Sequence, residues 1–116
     1  MRLPMVTLAS TLLASPALAA DITIELPGGD QPTSEQIEYV CEGRRISATY
    51  INAGSNALAV IDLGDQTVVM ANVLAGSGAK YAGQQFVWWT KGPEASLYDL
   101  TQGEDSAPVA ACRQAR

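Results

Sequence analysis

The sequence predicts an all-β domain, a small antiparallel β-barrel of about eight strands. From Ile37 onward, apolar residues alternate with polar ones in short runs, the period of half-buried strands. Glycine, asparagine, aspartate and proline punctuate these runs at steady spacing. Past the N-terminus, no window carries a long apolar helical stripe. Small antiparallel sheets protect their edges by closing, so a barrel is preferred to a sandwich.

Residues 1–19 read as a signal peptide. Arg2 gives a charged start, Met5 to Leu13 form an apolar run, and Pro16 leads into Ala17 and Ala19, the small residues that signal peptidase requires. Cleavage is expected after Ala19. The apolar run is too short to span a membrane. No cysteine follows the cut to carry acyl chains, so the mature chain is expected to be exported, periplasmic and without a membrane anchor.

Residues 20–36 read as a flexible N-terminal arm. "DITIEL" alternates, but the next ten residues, "PGGDQPTSEQ", hold two prolines and two glycines and read as linker. The barrel domain is expected over 37–116. "IEYVCE" runs to Gly43, "RISATYI" to "NAGSN", "ALAVIDL" to "GDQ" and "TVVMANVL" to "AGSG". "AKYAG" is short, "QQFVWWT" runs to "KGP", "ASLYDL" runs to "TQGED", and "APVAAC" is the last strand. Alternation places Ile46, Ala48 and Tyr50 on one face, sets Ala59, Ile61 and Leu63 against Leu58, Val60 and Asp62, and sets Phe86 and Trp88 against Val87 and Trp89. A barrel of this size has room for side chains and little else.

Twelve Asp and Glu face seven Lys and Arg, one of which, Arg2, leaves with the signal peptide. This balance argues against nucleic acid as a partner. It suits solubility, and it also suits a basic protein partner, because opposite fields speed encounter.

The chemistry is mostly excluded. The chain has no histidine, so no Ser-His-Asp or Cys-His arrangement can be built. "GSGAK" precedes a strand and not a helix, unlike a phosphate-binding loop. The carboxylates are scattered, with Asp62 and Asp65 flanking one turn, and nothing singles out a glycosidase pair. No enzyme activity, catalytic residue or cofactor is expected. The two cysteines, Cys41 and Cys112, do not suffice for a soft-metal site. In an oxidising compartment they can form one disulfide, closing a loop of roughly seventy residues and worth about 4 kcal/mol in the chain-entropy model. Free thiols are the alternative.

Two loops remain. "AGSGAKY" joins the fourth and fifth segments, and Gly76 and Gly78 let Ser77 ride a tip able to enter a narrow space. "TKGPE" joins the sixth and seventh, with Gly92 and Pro93 fixing the turn behind Lys91. Separated by two short strands, both loops can share one end of a barrel. There they would present a hydroxyl and an ammonium, which suit a carboxylate target. Taken singly, each is also an ordinary turn or a solvated charge.

"SGAKY", the fourteen positions from Ser77 to Lys91, and "WTKGPEASL" resemble the bacterial inhibitors of c-type lysozyme, the MliC/PliC family. "YVC" at Tyr39 to Cys41 and the late Cys112 match two further family features, so the resemblance covers roughly residues 37 to 112. It implies an eight-stranded barrel that inserts a loop into the lysozyme cleft, with Cys41 and Cys112 paired. It implies that Ser77 and Lys91 are the main inhibitory residues, with Gly78, Lys80, Tyr81 and Thr90 completing the binding motifs. The partner implied is c-type lysozyme, and self-association is left open. "VWWTKG" departs from the pattern by an extra aromatic, and the missing lipobox cysteine makes the chain resemble the periplasmic type. Two other readings compete: a periplasmic small-ligand barrel with its tryptophans lining a pocket, and a structural envelope domain that needs neither loop.

Overall fold

In a computed structural model, the chain is described over residues 1–15, 20–29 and 31–116. The expected cleavage site after Ala19 lies outside the described residues. Eight strands follow one another around a closed barrel: β1 (Thr33–Cys41), β2 (Arg44–Ala53), β3 (Asn56–Asp62), β4 (Thr67–Val73), β5 (Ala79–Gly83), β6 (Phe86–Lys91), β7 (Glu94–Asp99) and β8 (Ala110–Gln114). Each pairs antiparallel with its sequence neighbours, and β8 returns to β1.

Most strand ends fall within two residues of the sequence expectation, and β1 and β8 differ most. β1 begins at Thr33, inside the stretch read as arm. The helix- and strand-breaking residues end at Pro32, and from Thr33 onward every residue has a partner on β2, starting with Thr33↔Asn52. β8 starts at Ala110 and runs on to Gln114, later than "APVAAC" implied. Pro108 has no N–H to give a ladder. Val109 donates its N–H to the Leu97 carbonyl at 2.7 Å, and pairing with β7 begins at Ala110.

The alternation holds where it was read. Ile46, Ala48, Ala59, Ile61, Met70 and Trp88 have no exposed surface. Trp88 packs its ring edge-on to Tyr39, with centroids 5.1 Å apart and planes at 83°. Its indole Nε1 donates to the Tyr50 hydroxyl at 2.8 Å, and the Tyr50 and Tyr39 hydroxyls share a bond of 2.7 Å. A buried polar group is costly unless paired, and among the described residues no buried side-chain polar atom lacks a partner. Burial, above all, raises the Tyr50 phenol strongly and also raises the Tyr81 phenol above its usual value, and the neighbouring Tyr39 adds to both.

Cys41 and Cys112 are bonded. They face each other in the β1·β8 register, Cα atoms 4.1 Å apart, on the seam that closes the barrel. That seam has three residue pairs, so the covalent bond sits where the ladder is short. An even number of alternating strands also fixes the ends. β1 starts, and β8 finishes, at the end that carries the β2–β3, β4–β5 and β6–β7 connections.

Candidate functional site

The β4–β5 loop and the β6–β7 turn lie at that end. Between them stand β5 and β6, whose register pairs Ala79 with Thr90 and Lys80 with Trp89. The β6–β7 turn is a two-residue hairpin between Lys91 and Glu94. Gly92 takes φ +58 at its first position, as a type II′ turn requires, and Pro93 presets the second. Lys91 is thereby delivered at the last position of a strand, exposed to solvent.

The Ser77 loop is seated on this turn. Gly78 has φ +65, and a Cβ there would collide with the Thr90 carbonyl oxygen and lie 2.9 Å from Lys91 Cγ. The glycine is needed for close approach as well as for its backbone angle. Gly76 differs: a Cβ there would meet nothing within 4 Å. Thr90 Oγ1 donates to the Ala79 carbonyl at 3.4 Å, and Asn72 Nδ2 donates to the Lys80 carbonyl at 3.1 Å, bracing the base of the loop from both sides. Ser77 itself is exposed, and so is Leu74, at 97%.

Trp89 joins these parts. It faces outward and is half-buried, and its Nε1 donates to the backbone carbonyl of Ser77 at 2.9 Å. Lys91 Nζ lies 4.4 Å from its ring centroid and Lys80 Nζ lies 4.8 Å away, both within cation–π range. Glu94, directly across from Lys91, gives its carboxylate to Arg113 at 3.0 Å. That pair is the one ion pair among the described residues, and it leaves the Lys91 ammonium to the indole.

Of the six residues singled out from the sequence, Ser77, Gly78, Lys80, Thr90 and Lys91 converge on one end. Tyr81 points the other way. It is 8% exposed inside the barrel, tilted against Tyr50 with centroids 5.6 Å apart, so its ring belongs to the core beneath the loop. The sequence reading missed Trp89 as a link: alternation set it on the face opposite Trp88 without saying which face was the outer one. Its acceptor is a backbone carbonyl, which no side-chain letter announces.

A filled interior with its polar features on end loops defines a barrel that presents loops outward. Trp88 is sealed in the core and Trp89 is outside, so neither indole lines an internal cavity as the ligand-barrel reading required. Comparison with known proteins agrees in class. A family profile described as "Membrane-bound lysozyme-inhibitor of c-type lysozyme" (MliC) matches residues 39–106. The membrane-bound lysozyme inhibitor of C-type lysozyme of Pseudomonas aeruginosa is 42% identical over 93 residues, 78% of this chain and 73% of that protein. The protein of the same name from Cupriavidus necator is 37% identical over 112 residues, covering 96% of this chain and 90% of that one. The crystal structure of Pseudomonas aeruginosa MliC in complex with hen egg white lysozyme matches with a TM-score of 0.70 at 38% identity, over 84% of this chain and 99% of that one. The chain belongs to the MliC family. Its named relatives are inhibitors of an enzyme and not themselves enzymes.

Proposed function

We propose that this chain is an exported proteinaceous inhibitor of c-type lysozyme, protecting peptidoglycan from the host's enzyme. The observation that carries this reading is the likeness, over almost the whole neighbouring chain, to an MliC solved with lysozyme bound. The Ser77 loop enters the active-site cleft and Lys91 assists. Lysozyme-type glycosidases work with two carboxyl groups, one protonated and one ionised. A hydroxyl that donates and accepts, set beside an ammonium, can occupy sites meant for sugar hydroxyls and answer the ionised carboxylate. Gly78 and Thr90 hold the loop against the turn, Lys80 adds a second positive charge, and Tyr81 supports the loop from inside.

Inhibition is tested by lysozyme-driven clearing of a cell-wall suspension with and without the mature chain. Ser77→Ala and Lys91→Ala should each weaken inhibition by roughly thirtyfold, the scale of a desolvated central contact of about 2 kcal/mol. Both should remain folded, because both side chains are exposed, Ser77 on a loop and Lys91 at the last position of β6. If both variants fold and inhibit like the parent, the assignment of these residues is wrong.

The location follows the same reading. The named relatives are membrane-bound, and we place this protein in the envelope, free in the periplasm. Residues 1–19 carry an export pattern, and the two cysteines are bonded to each other. Osmotic shock should release a protein beginning near Ala20. Recovery of a lipid-modified, membrane-attached form would refute the periplasmic placement.

A further inference from the structure

We propose that Trp89 is the positioning residue of the inhibitory end: it holds the Ser77 loop by its backbone and gathers Lys80 and Lys91 on its ring. The proposal rests on the reading that Ser77 and Lys91 inhibit. Three contacts carry it: the Nε1 bond to the Ser77 carbonyl at 2.9 Å and the two ammonium groups at 4.4 and 4.8 Å from the ring centroid. The bond uses the carbonyl of Ser77 and not its hydroxyl, so the loop is restrained while the hydroxyl stays free for a partner. Trp89 is itself fixed. It sits in β6 between Lys80 of β5 and Ser96 of β7, on the strand whose opposite face carries the buried Trp88.

The benefit is preorganisation. A glycine-flanked loop that is ordered only on entering a cleft spends binding energy on that ordering. A loop already tied to a strand spends less. The ring also attracts two like-charged ammonium groups to one place, which their mutual repulsion would otherwise oppose. Arg113 contributes by occupying Glu94, the carboxylate that would compete for Lys91.

The test has two parts. In the free inhibitor, NMR hydrogen exchange resolves the two indole N–H groups. Trp89 should exchange more slowly than a free indole although its ring is partly exposed; exchange at the free rate would overturn the proposal. Second, inhibition constants are measured for the parent, Trp89→Phe, Ser77→Ala and the double variant. Trp89→Phe keeps a ring and loses the N–H, so inhibition should weaken about fivefold, the scale of one hydrogen bond. In the Ser77→Ala background the same change should cost less than about twofold, because the group being positioned is gone. Additive losses would show that Trp89 does not act through Ser77. Trp89→Leu, which also removes the ring, should weaken inhibition beyond Trp89→Phe, and equal losses would refute the role of the ring. Melting temperatures check that the variants fold, and if one does not, the exchange measurement on the parent decides. A parent that inhibits no c-type lysozyme defeats the functional reading. A parent that inhibits, with Ser77→Ala weakened and the cycle additive, defeats the Trp89 proposal alone.

Discussion

Adding one methyl group at Gly78 should disable the proposed inhibitory end while leaving the barrel standing. An alanine at φ +65 costs about 1 kcal/mol from the left-handed backbone alone. Its Cβ would also collide with the Thr90 carbonyl, a backbone atom in the paired β5·β6 ladder that cannot swing aside. The loop must therefore lift, and lifting it breaks the Trp89–Ser77 hydrogen bond, a further loss of about 1 kcal/mol. The sum of about 2 kcal/mol corresponds to roughly thirtyfold weaker inhibition. Gly76→Ala is the control: that position has no close neighbour for a Cβ and no positive φ, so it should change inhibition less than about twofold. The assay is titration of lysozyme activity for both variants, paired with thermal melts. If Gly78→Ala inhibits like Gly76→Ala, the loop is not seated on the Thr90 carbonyl as described and the reasoning fails.

Replacing both Cys41 and Cys112 by serine should cost about 4 kcal/mol, the chain-entropy value for a bond spanning 71 residues, read as a fall in the urea midpoint; an unchanged midpoint would refute it. Raising salt to about 0.5 M should slow association with a basic lysozyme more than it changes dissociation, since screening shortens the reach of the acidic surface. Neutralising Glu42 and Asp65, on turns at the far end of the barrel, should reproduce part of that slowing, and a salt-independent association rate would leave the charge to solubility alone. Because burial raises the pKa of Tyr50 and Tyr81 in the folded state, the folded protein retains protons that the unfolded chain loses above about pH 10. Stability should therefore fall as pH rises beyond that value, with the Tyr50 phenol ionising only on unfolding; phenolate absorbance that completes for every tyrosine before the unfolding transition would contradict it.

The strand count, the closed barrel and the inward faces were readable because alternation of period two is written directly in residue type. Ile46 and Ala48 needed no partner to be placed on one face, and Trp88 and Trp89 on opposite faces, although which of the two tryptophans is interior only the fold decides. Pairing was less legible. That Lys80 lies opposite Trp89 depends on where the β5–β6 turn falls, and that turn uses Gln84 at φ +51 where a glycine would be expected. The start of β1 was hidden because Thr33 to Gln36 are polar and mostly exposed, held by ladder bonds and not by an apolar pattern. At the candidate site, Ser77 and Lys91 were singled out because their neighbours make a motif. The seat of Gly78 and the hold of Trp89 were not, since both end on backbone carbonyl oxygens that every residue possesses.

Because eight is an even number, both termini of the barrel leave at the end that carries Ser77 and Lys91: Thr33 opposite Asn52, and Gln114 with its N–H on the Pro93 carbonyl at 2.8 Å. Anything fastened to either terminus, whether a purification handle, a bead or a fused enzyme, would therefore stand at the end proposed to enter the lysozyme cleft. The length of chain ahead of Thr33 then acts as a standoff, and shortening it should crowd the approaching enzyme while every inhibitory atom stays in place. An immobilised version is better attached through the opposite rim, at the turn of Glu42 and Gly43, which faces away from the encounter.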